Sequence, residues 1–93
     1  MMSNIPFDRS KLTLTDIDCE ALRAAIIAEL DAINLYEQVA AATEREALKK
    51  VFLDVAKEEK THVGEFQTLL LMLDEEQKAE LEAGRKEVEE LLE

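Results

Sequence analysis

The sequence predicts an all-α protein, an antiparallel two-helix hairpin followed by a C-terminal helix. It has only 2 Gly and 1 Pro among 93 residues, and 35% of its residues are charged, a composition that suits long helices rather than sheet. Its apolar residues recur in alternating steps of four and three, the pattern of a helix packed on a partner. A chain of this length buries a modest core, so we expect two chains to complete a four-helix bundle.

Capping patterns place the elements in order. Residues 1–12 show no sustained periodicity and are predicted to form a mobile arm. Thr and Asp side chains then predict the start of a first helix over residues 13–42. The stretch from Thr43 to Glu46 has the form of a capping box, which predicts a tight turn and a second helix over residues 44–73. A similar signature from Asp74 to Gln77 predicts a third helix over residues 75–92.

Polar residues interrupt the apolar stripes of both long helices. The stripe of the first helix is Leu22, Ile26, Glu29, Ile33, Tyr36 and Ala40. The stripe of the second helix is Leu48, Phe52, Val55, Glu59, His62, Phe66, Leu69 and Leu73. A carboxylate in such a position is costly unless it is paired or bound to a metal. Glu59 and His62 also have the Glu-x-x-His spacing that di-iron bundle proteins use for ligands.

The hairpin geometry predicts that these interruptions meet. Counted outward from the turn, Glu29 and Glu59 lie at nearly the same height along the bundle, and His62 lies one turn beyond Glu59. The chain has 1 His, so it supplies only half of a di-iron site, and a homodimer would supply the whole. We therefore predict Glu29, Glu59 and His62 as ligands of two irons per dimer interface, with Mn or Zn as substitutes.

Other acidic residues flank the predicted site. Asp31, Glu58 and Glu65 are candidates for secondary cation contacts or for guiding cations toward the ligands. Taken singly, each one is better explained as part of a solvated charged face.

Composition and charge argue against several other classes of protein. The net charge of −11 argues against nucleic-acid binding, which needs clustered Lys and Arg. No apolar run reaches the roughly 18 residues of a membrane span, and the first residues lack the apolar core of a signal peptide. The single Cys19 fits a reducing cytoplasm and cannot build a rubredoxin-type four-cysteine iron centre.

The segments AELDAINLYE (Glu29, Tyr36) and KEEKTHVGEF (Glu59, His62) resemble the ferritin-like superfamily, so the chain would be one ferritin-like half-domain. It looks most like an encapsulated ferritin. The resemblance implies a ferroxidase whose catalytic residues include Glu29, Glu59 and His62, with Tyr36 hydrogen-bonded to a ligand or modulating electron transfer. It also implies a ring such as a decamer, and an encapsulin shell protein as partner, with the domain either fused to the shell or carried as cargo. Iron storage would then take place in a cytoplasmic encapsulin nanocompartment.

Two alternatives stand beside the ferroxidase. The first is a di-iron or di-manganese protein of the rubrerythrin-like kind that consumes peroxide, which oxidant preference would distinguish. The second is a helical interaction module without catalysis. That module predicts no metal-dependent stabilisation and tolerance of Glu59→Leu, because an apolar residue can replace a buried charge without loss of stability.

Overall fold

The computed structural model describes residues 13–93, and within this range the chain forms three α-helices and no strand. They are α1 (Leu14–Ala42), α2 (Glu46–Leu73) and α3 (Glu75–Leu92). The predicted all-α class and the order of the helices are confirmed. The predicted arm over residues 1–12 lies outside the described part of the chain.

A reciprocal capping box begins α1. The Thr13 hydroxyl accepts a hydrogen bond from the backbone N–H of Asp16 at 3.1 Å, and the Asp16 carboxylate accepts one from the N–H of Thr13 at 3.3 Å. These bonds satisfy two backbone donors that a helix start otherwise leaves without partners. The predicted Thr and Asp caps are therefore present.

The capping box predicted over Thr43–Glu46 is wrong. The Thr43 hydroxyl accepts from the N–H of Arg45 at 3.2 Å, two residues on, instead of from Glu46. Arg45 is the N-cap residue of α2, and its side chain makes no capping hydrogen bond to the described residues. Because Thr43 closes a local turn, α2 begins at Glu46, two residues later than predicted.

The hairpin of α1 and α2 forms the core of the described chain. Its buried residues are small or apolar: Cys19, Ile33, Ala40, Ala56 and Leu70. The predicted stripe of α2 matches the face that packs on α1 only in part, with Phe52, Val55, Glu59, His62 and Phe66 half-buried. Ala56 and Leu70 are buried, whereas the predicted core residues Leu48, Leu69 and Leu73 are 43–50% exposed.

A single residue, Asp74, joins α2 to α3. From this junction α3 leaves the hairpin, contacts α2 near the junction, and has no buried residue. The described chain measures 48 × 43 × 19 Å, a flat and angular shape. No helix within residues 13–93 is long and apolar enough to span a membrane.

Candidate metal centre

Three side chains from the middle of the hairpin converge between α1 and α2. Glu29 extends from α1, and Glu59 and His62 extend from adjacent turns of α2. One ligand atom from each residue lies within 4.8 Å of the other two. The structure thus brings together the three residues that the sequence spacing predicts as neighbours.

The imidazole of His62 lies between the two carboxylates. Its Nδ1 atom is 3.3 Å from Oε2 of Glu59 and 3.4 Å from Oε2 of Glu29. Only the contact with Glu59 has hydrogen-bond geometry. A single ring N–H can serve one acceptor well, so the second carboxylate remains unsatisfied. Nδ1 is therefore the ring nitrogen that faces both carboxylates.

Glu29 carries the unsatisfied group of this cluster. Its Oε2 atom is buried and has no hydrogen-bond partner among the described residues. No Lys or Arg within residues 13–93 forms an ion pair with Glu29 or Glu59. Lys60, the nearest cation in sequence, pairs instead with Glu37 at 2.8 Å. A buried carboxylate oxygen without a partner is costly, and a cation held by these donors would offset that cost.

The donor set fits a transition-metal ion. Two carboxylates and one imidazole suit Fe or Mn, with Zn also accommodated. The side chains of Glu29 and Glu59 are 19% and 18% exposed, and that of His62 is 42% exposed. The cluster is therefore open on one side, and it gains no further His, Cys, Asp or Glu from the described chain.

Apolar residues lie on the same face of α2 as His62. On α2, Leu48, Val55, His62 and Leu69 are spaced by seven residues and so share one face of the helix. Leu48 and Leu69 are 43% and 50% exposed. Near Leu69 a groove of about 340 Å³ is lined by Asp18, Ala21, Leu22, Leu69, Met72 and Leu73. An exposed apolar face of this kind is typical of a protein–protein contact.

The remaining predicted site residues lie outside the three-residue cluster. Tyr36 is half-buried two turns beyond Glu29 on α1, and its ring contacts that of Phe52 with centroids 5.8 Å apart. Asp31 is half-buried, and Glu58 and Glu65 are exposed. None of these four belongs to the group of potential ligands within residues 13–93.

A helical hairpin with two Glu and one His at its centre has the arrangement that carboxylate-type metal-binding bundle proteins use. Residues 20–92 match the protein family described as Rubrerythrin. The chain therefore belongs to the rubrerythrin family, and its ferritin-like resemblance is confirmed.

Similar proteins agree with this assignment. A ferritin-like–encapsulin shell fusion protein of Pyrococcus furiosus is 65% identical over 72 residues, which are 77% of this chain and 21% of that protein. The encapsulin nanocompartment cargo protein EncC of Myxococcus xanthus is 42% identical over 69 residues, which are 74% of this chain and 52% of the cargo protein. The matched part of the chain thus spans about a fifth of the length of the shell fusion protein and about half of the length of the cargo protein.

The fold also matches a solved structure. The crystal structure of the encapsulated ferritin domain from Pyrococcus furiosus superposes with a TM-score of 0.85 at 55% identity. The match covers 98% of this chain and 95% of that domain. The predicted encapsulated-ferritin resemblance is therefore confirmed at the level of fold.

Proposed function

We propose that this chain is a ferroxidase that oxidises Fe²⁺ to Fe³⁺ with oxygen at a two-iron site shared between two copies of the chain. The observation that carries the proposal is the buried Oε2 of Glu29, which has no hydrogen-bond partner in the described chain and faces Glu59 and His62. This group is destabilising in a purely structural role and suited to binding a cation.

The composition of the cluster supports sharing between two chains. One chain offers two carboxylates and one imidazole, half of the ligand set of a bundle-type di-iron site. A second copy related by two-fold symmetry would supply the other half. The exposed apolar residues around His62 would then be buried, which removes Leu48 and Leu69 from water.

The chemistry needs a site that holds two Fe²⁺ ions and gives oxygen access to them. Two Fe²⁺ ions lose one electron each, and oxygen takes up two electrons and two protons to become hydrogen peroxide. Glu29 and Glu59 offset the positive charge of the iron through carboxylate oxygens, and their negative charge favours Fe³⁺ over Fe²⁺. His62 would supply one nitrogen donor, and its Nδ1 is the ring atom that faces both carboxylates.

Further residues take supporting roles in this proposal. Tyr36, on the same stripe as Glu29, would modulate electron transfer or hydrogen-bond to a ligand in the assembled site. Asp31, Glu58 and Glu65 would guide Fe²⁺ toward the cluster, because an acidic surface raises the local concentration of cations.

The names of the relatives support a place inside a protein shell. One relative is a shell fusion and another is a nanocompartment cargo protein. We therefore infer that this chain also works with an encapsulin shell, fused to it or carried by it, in the cytoplasm. It would assemble as a ring of dimers, such as a decamer, and the oxidised iron would be stored within the shell.

An Fe²⁺ titration under air tests the proposal. The absorbance of the ferric product is followed for the wild type, for Glu59→Ala combined with His62→Ala, and for the control Glu37→Gln. We expect oxidation that saturates at about one Fe²⁺ per chain in the wild type and the control, and that falls to the buffer rate in the double variant. Equal rates in all three proteins and in buffer would refute the ferroxidase.

The oxidant distinguishes the ferroxidase from its enzymatic alternative. The family match favours a second candidate, a peroxide-consuming protein on the same site. Protein loaded anaerobically with Fe²⁺ is mixed with oxygen or with hydrogen peroxide. Faster oxidation by oxygen supports the ferroxidase. Oxidation by peroxide alone supports the rubrerythrin-like alternative.

A further inference from the structure

The junction between the hairpin and α3 depends on the polar atoms of one residue. The N–H of Asp74 donates to the carbonyl of Leu70 at 2.9 Å, which ends α2, and its carbonyl accepts from the N–H of Lys78 at 3.1 Å. Its Oδ1 accepts from the N–H of Gln77 at 2.9 Å, which caps α3. Its Oδ2 accepts from Nη2 of Arg23 on α1 at 2.7 Å. Asp74 therefore connects all three helices.

Apolar packing does little to hold α3 in place. No residue of α3 is buried, and its apolar side chains Leu81, Val88, Leu91 and Leu92 are 44–83% exposed. An open pocket of about 320 Å³ lies where Leu81 approaches Ile27 and Leu70. The contacts of Asp74 are therefore the main polar contacts between α3 and the hairpin in the described chain, and the ion pair with Arg23 is the one that reaches α1.

Arg23 has a second carboxylate close to it on its own helix. Glu20 precedes Arg23 by three residues, a spacing that places two side chains next to each other on a helix surface. Both residues line the same pocket of about 500 Å³ beside Asp74. The Oε2 atom of Glu20 is buried and has no hydrogen-bond partner among the described residues.

The other carboxylates in this pocket are either hydrogen-bonded elsewhere or exposed. Asp16 is engaged in the capping box with Thr13, and Glu75 and Glu76 are exposed in the first turn of α3, where the helix dipole favours negative charge. Among the described residues that line the pocket, Arg23 is the one cation. Glu20 and Asp74 are therefore the two carboxylates that compete for it.

We propose that Arg23 is a two-position latch, which fixes the direction of α3 when it pairs with Asp74 and frees α3 when it pairs with Glu20. Because Glu20 and Arg23 are three residues apart on α1, we expect side-chain rotation to be enough to move the guanidinium from Asp74 to Glu20. The move satisfies the unpartnered oxygen of Glu20 and leaves Asp74 bound by backbone contacts alone. The two states differ in the angle between α3 and the hairpin, not in the helices themselves.

Distance measurements between spin labels test this latch. Labels are placed at the exposed positions Lys57 on α2 and Glu87 on α3 through a chemistry that does not use cysteine, because Cys19 lines the same pocket. The labelled chain is diluted with unlabelled chain so that the distances within one chain dominate. Pulsed electron–electron double resonance then gives the ratio of held to released α3.

The variants Arg23→Gln and Asp74→Asn weaken the held state. The variant Glu20→Gln removes the carboxylate that competes with Asp74 for Arg23. Asn caps a helix about as well as Asp, so Asp74→Asn keeps the cap of α3 and removes only the charge. We expect the held-to-released ratio to fall about fivefold in Arg23→Gln and Asp74→Asn, the size typical of a partly exposed ion pair. It should rise in Glu20→Gln.

The control is Glu37→Gln, which breaks the 2.8 Å ion pair with Lys60 between the hairpin helices and should leave the ratio unchanged. Helical content is checked by circular dichroism in each variant. Unchanged distances in both Arg23→Gln and Asp74→Asn would overturn the latch. A fall in the ratio for Glu20→Gln would also overturn it, because Glu20 would then support the held state.

Discussion

Two clusters of carboxylates lie between helices in this molecule, and they differ in how their charge is neutralised. At the junction with α3, Asp74 receives a guanidinium from Arg23 and a backbone N–H from Gln77. At the centre of the hairpin, Glu29 and Glu59 share only the imidazole of His62. Asp74 is therefore neutralised by groups of its own chain, whereas Glu29 has a buried oxygen that no described residue neutralises.

This difference separates a structural carboxylate from a candidate metal ligand. The N–H of Gln77 and the adjacent Arg23 hold the pKa of Asp74 below its ordinary value, despite an opposing effect of desolvation. The carboxylate of Asp74 is thus stabilised in its charged form by groups that are already in place. Glu29 has no such groups for its buried oxygen in the described chain, so an external cation is the partner that the site lacks.

The largest expected effect is stabilisation by metal at the central cluster alone. Mn²⁺ is a suitable probe because it has the same ligand preferences and is not oxidised in the assay. At about 100 times its dissociation constant, Mn²⁺ should stabilise the wild type by about 2.7 kcal/mol in urea denaturation. The variant Glu59→Gln should lose most of this gain, and Asp74→Asn should keep it. Equal stabilisation of all three proteins would show that Mn²⁺ binds elsewhere.

In the absence of metal, the variant Glu29→Gln should be more stable than the wild type. Removing one carboxylate relieves the repulsion from Glu59 and the burial of an unpaired charge, so the free energy of unfolding in chelator should rise by about 1 kcal/mol. The measurement is urea denaturation with and without Mn²⁺. If Glu29→Gln destabilises the metal-free protein, the carboxylate is structural and the comparison between the two clusters fails.

Acid should lower the stability of the wild type more than that of the variant Asp74→Asn, because the variant has no charge at position 74 to lose. The lowered pKa of Asp74 means that its contribution to stability is present above the pKa of the unfolded chain and is lost as the pH falls through the folded pKa. Asp16, Glu20, Glu75 and Glu76 line the same pocket as Arg23 and Asp74. The difference in denaturation midpoint between wild type and Asp74→Asn should shrink toward zero in acid. A difference that is independent of pH would exclude a role for the Asp74 charge.

The smallest effect is expected at the surface pair of Lys60 and Glu37. Both side chains are well exposed, at 59% and 45%, so solvent screens their attraction. Glu37→Gln should change the free energy of unfolding by less than about 1 kcal/mol and leave metal binding unaltered. A loss of Mn²⁺ stabilisation in this variant would place Lys60 or Glu37 within the site and weaken the division between the two clusters.

The sequence alone predicts the three helices and the convergence of Glu29, Glu59 and His62. Both depend on local periodicity and on the regular rise of an α-helix, so counting outward from the turn is enough to align them. The Asp74 cap of α3 was also visible as a local signature. These features follow from residues close together in the chain.

Other features depend on contacts that local patterns do not encode. On α2, apolar residues outside the predicted stripe lie next to those within it, and periodicity alone does not tell which of them are buried. Ala56 is buried, whereas Leu69 is 50% exposed. Thr43 failed as a helix cap because its hydroxyl satisfied Arg45 in a local turn. The pairing of Arg23 with Asp74 joins residues 51 positions apart and carries no periodic signal.

The most direct test of the shared site is anomalous diffraction at the iron edge from crystals soaked anaerobically in Fe²⁺. The proposed function predicts pairs of iron peaks related by a two-fold axis, with Glu29, Glu59 and His62 of two copies as ligands. Iron held by one chain alone, or iron bound only at acidic residues away from Glu29, would contradict the shared two-iron site.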